Sequence, residues 1–297
     1  MSIVDIFDSE VPNHVVDSIF GDVLKFRILP EYFHSGPSDN PRAVIVGGQP
    51  GAGKTATRAT RAPQSKFCVV NGDDLRVFHP QYTSIVQQCP ERMPDITADL
   101  SGKLVAKSIQ WLMENRWNVV WETTFRSDAA LLRDLHTAVG SGYQVGVYAL
   151  GVAGEVSLHT TVARWCREMQ THGFGRVVSV VGHDEPYAKA PAVLDQIGSE
   201  LPTVGVHVST RSGALLGEDK RPSEVLTAAR QLGRRAAGRL EEQVYHTKVA
   251  VSQLPPSAGR EHSQKVLELV SARLGESQKI SPPNLANFRN ERRRKGR

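Results

Sequence analysis

The tightest constraint on this chain is a short glycine-rich segment. Gly48-Gln49-Pro50-Gly51-Ala52-Gly53-Lys54-Thr55 matches G-x-x-x-x-G-K-[ST] without deviation. Glycines let the backbone wrap around an anion, so that successive N–H groups point inward at the start of a helix. Gly48, Gln49, Pro50, Gly51, Ala52 and Gly53 are thus the expected nucleotide-binding loop. Lys54 brings a point charge to the β- and γ-phosphates, and Thr55 offers its hydroxyl to Mg²⁺. The flanks agree: the β-branched run Ala43–Gly47 comes before the loop, and the helix-like stretch Lys54–Arg61 follows it.

Five short apolar runs read as strands covered on both faces: Ala43–Gly47, Phe67–Asn71, Asn118–Glu122, Tyr143–Leu150 and Val204–Ser209. Helix-like stretches separate them: Lys54–Arg61, Ile96–Asn115, Ser127–Val139, Glu155–Gln170 and one around Ala190–Leu201. The alternation predicts an α/β fold with a P-loop kinase-like parallel sheet, helices on both faces and a C-terminal helical extension. Residues 1–36 read as a helical lead-in. Residues 37–217 read as the core, with a lid over about 155–200. Residues 218–280 read as a helical region, in which Ser223–Tyr245 forms one long helix and Glu261–Leu274 another. Residues 281–297 read as a basic, mobile tail.

Composition narrows the partners. The chain has 297 residues, of which 40% are hydrophobic and 23% charged, so wholesale disorder is excluded. Six of its 36 Lys and Arg but only one of its 31 Asp and Glu fall within 288–297, so the rest balances at 30 against 30. A general nucleic-acid surface is therefore not expected; only the tail would offer one. Three scattered cysteines fit neither a disulfide framework nor a four-Cys zinc site, and suit a reduced compartment. No apolar run is long enough for a transmembrane helix. Met1–Glu10 is acidic and does not read as a secretory signal, so the expected location is the cytoplasm.

Phosphoryl transfer needs a metal, positive charge on the γ-phosphate and a carboxylate at the nucleophile. In open α/β sheets such groups gather at the carboxyl ends of the strands. Asp73 and Asp74 follow the second strand; adjacent side chains diverge, and the residues alone leave open which one faces the site. Glu122 closes the third strand, as a Mg²⁺ organiser or an acceptor of the substrate hydroxyl, and Thr124 and Arg126 follow it. Arg164, Arg167 and Arg176 flank Trp165 where a lid would lie, and lid arginines reach the transferring phosphoryl on closure. His79 reads as a turn anchor, and His183-Asp184 as a helix cap, with a lid pair as the alternative.

These pieces resemble the zeta toxin family. Gly47–Thr55 is written as that family writes its glycine loop. Asp73, Arg76, His79 and Pro80 resemble its D-x-x-[RK]-x-x-H-P segment, and Glu122-Thr123-Thr124 its E-G-T. Arg164 falls at its first lid arginine, and Ile28-Leu29-Pro30-Glu31 fits its lead-in. The resemblance runs over roughly 28–215. It implies a toxin with a cognate antitoxin partner, and an ATP-dependent kinase acting on a hydroxyl of UDP-N-acetylglucosamine. Asp73 would be the catalytic base, with Lys54, Arg164 and Arg176 on the phosphates and Arg76, Glu122 and Thr124 at the substrate. Counted without gaps from Glu122, two acceptor contacts of the family fall on Ala106 and Asp134, changes that put the acceptor's identity in question. Other acceptors remain as alternatives (a dinucleotide, an antibiotic, a nucleic-acid end), as does a non-catalytic nucleotide-binding protein.

Overall fold

The computed structural model describes residues 7, 9–29, 36–89, 92–216, 220–235 and 239–278. The basic tail, Pro30 and Glu31 lie outside the described residues. The expected runs form strands β1 (Arg42–Gly47), β2 (Cys68–Val70), β3 (Val119–Thr123), β4 (Gln144–Leu150) and β5 (Gly205–Ser209). A two-residue β6 (Leu215–Leu216) pairs antiparallel with β5; every other pairing is parallel. The order is β2-β3-β1-β4-β5-β6. β1 is central, and the chain leaves it towards β2 and β3 before crossing to β4. The glycine loop therefore emerges at the topological switch point, where open α/β sheets bind ligands.

The helices are α1 (Asn13–Val23), α2 (Lys54–Arg61), α3 (Gly72–Leu75), α4 (Tyr82–Gln88), α5 (Met93–Ile96), α6 (Ala98–Glu114), α7 (Asp128–Gly140), α8 (Gly154–His172), α9 (Val180–Glu200), α10 (Pro222–Arg235), α11 (Leu240–Ser252) and α12 (Ala258–Gln278). A π-helical turn, Leu24–Ile28, extends α1. Side chains of β1 alternate between two cores, as the pleat requires. Ala43 and Ile45 join the large cluster that includes α1, α6, α7, α9 and α10 residues, and Val44 and Val46 join one with Ala52, Ala62 and Leu150. A third cluster joins Leu158, Val162 and Trp165 of α8 to Val244 of α11 and Leu267 and Val270 of α12.

Two expectations are corrected. The single helix over Ser223–Tyr245 is interrupted: α10 ends at Arg235 and α11 begins at Leu240. Val225, Leu226 and Ala229 of α10 serve the main core, while Leu240 and Val244 of α11 serve the α8 cluster. One straight helix could not face both. Conversely, α9 starts at Val180, well before Ala190, and carries Pro186 and Pro191 inside it. Proline lacks the N–H that would bond the carbonyl four residues back. For Pro186 that carbonyl is Gly182 O, and Arg126 Nη2 donates to it at 3.1 Å. No described helix is long and apolar enough to cross a membrane.

Candidate active site

A cleft of about 600 Å³ opens at the carboxyl ends of β1, β2 and β3. Its walls bring together Lys54, Thr55, Asp73, Glu122, Arg164 and Arg176, so residues far apart in the chain share one crevice. Thr124, Arg76 and Arg126 line it too.

The loop is built by close packing. Gly51 has φ +77° and Gly53 φ +96°, a left-handed region that only glycine enters freely. A Cβ on Gly51 would stand 2.0 Å from the carbonyl oxygen of Ser157, so this position takes no side chain. Gly53 lies where α2 begins, aiming the first N–H groups of that helix into the cleft. The half-buried Lys54 folds back on its own loop and donates to Gly48 O at 2.9 Å and Gln49 O at 3.4 Å. Withdrawal from water lowers its pKa to about 8, against the opposing charge of Glu122. Thr55 Oγ1 lies 3.4 Å from Glu122 Oε1, which also accepts from Arg58 Nε at 3.1 Å. A hydroxyl and a carboxylate oxygen at the loop's end are the hard donors that Mg²⁺ takes, so these residues fit that ion.

Asn71 Oδ1 caps the short α3, accepting from Asp73 N–H at 3.2 Å. Asp73 lines the cleft, whereas Asp74 is not among its walls. Asp73 pairs with Arg76 at 3.2 Å and, through its other oxygen, with Arg176. Burial would raise its pKa, but Arg176 and Arg76 outweigh burial and hold the carboxyl below its usual range. Arg76 is committed to protein partners: it also donates to Pro94 O at 2.6 Å and Thr97 Oγ1 at 2.7 Å. Its guanidinium thereby fastens Asp73 to α5 and the start of α6.

Arg164 projects from α8, and Arg176 from the segment joining α8 to α9. The Nε and Nη2 of Arg164 are covered and have no hydrogen-bond partner among the described residues; Glu168 stands 3.5 Å away as a charge partner. Two guanidinium groups, a lysine and open helix N–H groups facing one space make a site for a polyanion. Arg167, the third arginine of the expected lid, is not among the walls.

The ungapped count to Ala106 and Asp134 fails. Neither residue lines the cleft: Ala106 is exposed on α6, and Asp134 pairs with Arg133 on α7 at 3.5 Å. Only the first turn of α6 reaches the site, through Ala98 and Ser101, and the acid facing the cleft from this region is Asp95. Sequence reasoning missed Asp95 because spacing alone does not show where α6 begins. It also gave His183-Asp184 the cap of α9, which Ser179 provides by accepting from Gly182 N–H at 3.0 Å. His79 is a buried turn anchor, its Nδ1 accepting from Gln81 N–H at 3.2 Å.

A family model described as zeta toxin matches residues 30–221. The toxin PezT of Streptococcus pneumoniae is 28% identical over 130 residues, which cover 43% of this chain and 51% of that protein. The toxin zeta of Streptococcus pyogenes is 25% identical over 129 residues, 43% of this chain and 45% of that protein. The chain thus spans about half the length of the curated relatives it matches. A solved structure from the PezAT chromosomal toxin–antitoxin system of Streptococcus pneumoniae shares the fold. It aligns over 92% of this chain and 100% of that one, with a TM-score of 0.65 and 18% identity.

Proposed function

The chain belongs to the zeta toxin family, and from that premise we propose that it is an ATP-dependent kinase acting on a hydroxyl of a nucleotide sugar, UDP-N-acetylglucosamine first among them. The observation that carries this reading is the convergence of Lys54, Asp73, Arg164 and Arg176 on one cleft. ATP lies with its β- and γ-phosphates on residues 48–55. A second cavity, of about 770 Å³ and lined by Val152, Val156, Thr210 and Arg211, gives the nucleoside room beside the loop. Glu122 and Thr124 position the acceptor, and Arg76 holds the base that meets it. Glu122 Oε1, 3.4 Å from Thr55 Oγ1, would also help hold the metal.

In the step itself the acceptor oxygen attacks the γ-phosphorus and its proton passes to Asp73. The bond from that phosphorus to the β–γ bridging oxygen breaks, and ADP leaves with the electron pair. A carboxylate of low pKa is a weak base, so Asp73 first orients the hydroxyl and receives the proton as the new P–O bond forms, as suits a loose transition state. Lys54, Arg164 and Arg176 neutralise charge on the equatorial oxygens. Thr55 would hold Mg²⁺, which would supply Lewis-acid charge to the phosphates. As in a toxin–antitoxin pair, a cognate antitoxin would be the protein partner, and co-purification from the native host checks it.

The test is incubation with ATP, Mg²⁺ and a panel of nucleotide sugars, dinucleotides and aminoglycosides, read as a mass gain of one phosphate. UDP-N-acetylglucosamine is expected to gain it. Asp73→Asn should abolish the transfer and leave ATP binding nearly intact. Near-normal turnover in that variant removes Asp73 from the mechanism, and a gain on another acceptor alone replaces the substrate.

A further inference from the structure

The phosphate loop is braced from behind by a file of polar side chains that ends on the C-terminal helical layer. Gln49 is fully buried, and its Nε2 donates to Val152 O and to Ser157 Oγ, each at 3.0 Å. Ser157, fully buried on the first turn of α8, has its Oγ 2.8 Å from His183 Nε2. His183, fully buried on α9, has its Nδ1 2.8 Å from Asp184 Oδ1. Asp184 accepts from Arg273 of α12 through both oxygens, at 3.2 and 2.6 Å.

The direction of donation follows from chemistry. Burial lowers the pKa of His183 even against the charge of Asp184, so the ring is neutral with one N–H. An ionised Asp184 accepts only, which places that proton on Nδ1. Nε2 is then an acceptor, and the Ser157 hydroxyl must donate to it. Two helix carbonyls, Ala153 O and Gly154 O, also lie within 3.1 Å of Ser157 Oγ. Donation to either would leave lone pairs of Oγ and Nε2 facing each other at 2.8 Å. The file therefore runs Gln49 to Ser157 to His183 to Asp184, where it meets the fork of Arg273. Its geometry is that of a hydrolase triad, but neither Ser157 nor His183 has any exposed surface, so no scissile carbonyl can reach them.

Gln49 also shapes the loop through its backbone: its carbonyl accepts from Ala52 N–H at 3.2 Å and from Lys54 Nζ at 3.4 Å. Moving its side chain moves the carbonyl on which Lys54 rests. We propose that Ser157, His183 and Arg273 are positioning residues that hold the phosphate loop ready for ligand through Gln49, making α12 part of the nucleotide grip. This rests on reading residues 48–55 as the nucleotide loop.

The experiment is a calorimetric titration of the full chain with ATPγS and Mg²⁺, well below the unfolding temperature of each variant. Ser157→Ala should weaken binding about tenfold, the size of one lost buried hydrogen bond. Arg273→Met should weaken it about threefold, and Arg273→Lys should restore most of that loss. The double variant should bind no more weakly than Ser157→Ala, because the file is already cut. Leu267→Ala, in the same helical layer but off the file, should lower the Tm and leave affinity unchanged. Additive losses, or wild-type affinity in Arg273→Met, overturn the proposal. Arg273→Met and Arg273→Lys decide the matter alone if Ser157→Ala does not fold. A wild type that binds no ATPγS instead overturns the reading of the loop, and this proposal with it.

Discussion

Lys54 is the residue whose chemistry is most exposed to test. Its pKa of about 8 lies below the ordinary 10.5, because the folded loop strips water from its ammonium. Between those values the unfolded chain binds more protons than the folded one, so stability contributed at this site rises with pH across that window. Bound phosphates restore the charge. ATP binding should therefore take up a proton above about pH 8, and affinity should fall as pH rises further. Titration in two buffers of different ionisation enthalpy at pH 8.5 would show it; a buffer-independent heat would contradict it. The residues alone left Asp73 as one of a pair, and only the resemblance of Asp73, Arg76, His79 and Pro80 to the family segment singled it out. In the structure partners separate the two aspartates: Asp73 meets Arg76 and Arg176 in the cleft, whereas Asp74 does not line it, and Arg176 comes from far along the chain. Asp95 and Gln49 were not legible as they stand, because each depends on which neighbour a fold brings near.

At the scale of elements, the strands and the loop were readable because each is a local pattern: β-branched runs buried on both faces, and glycines at positive φ. The helices around the lid were harder. Pro186 and Pro191 look like breakers until Arg126 is seen to satisfy the carbonyl that Pro186 leaves free. Arg126→Ala should accordingly loosen the first turns of α9, seen as faster amide exchange over residues 180–186, with little change elsewhere. The loop allows a sharper test. Gly51→Ala puts a methyl group against the Ser157 carbonyl at a left-handed φ. Nucleotide affinity should fall roughly tenfold or more while far-ultraviolet circular dichroism stays as in the wild type.

At the scale of the molecule, α11 and α12 cover the apolar face of α8, the helix that carries Arg164 and Ser157. Leu267 is fully buried in that cluster, and Leu267→Ala should cost about 2–5 kcal/mol of stability, read from denaturant unfolding. A loss under about 1 kcal/mol would mean the layer packs loosely on α8. This arrangement was beyond sequence reading, since amphipathic helices announce a buried face without naming what it meets.

Five parallel strands also send all of their amino ends to one rim, away from the cleft. The turn at Ser141 and Gly142, just before β4, is exposed there. All three native cysteines are buried. A single Ser141→Cys change would thus give the molecule one accessible thiol, a tether by which it could be fixed to a surface or carry a dye with its working mouth turned outward.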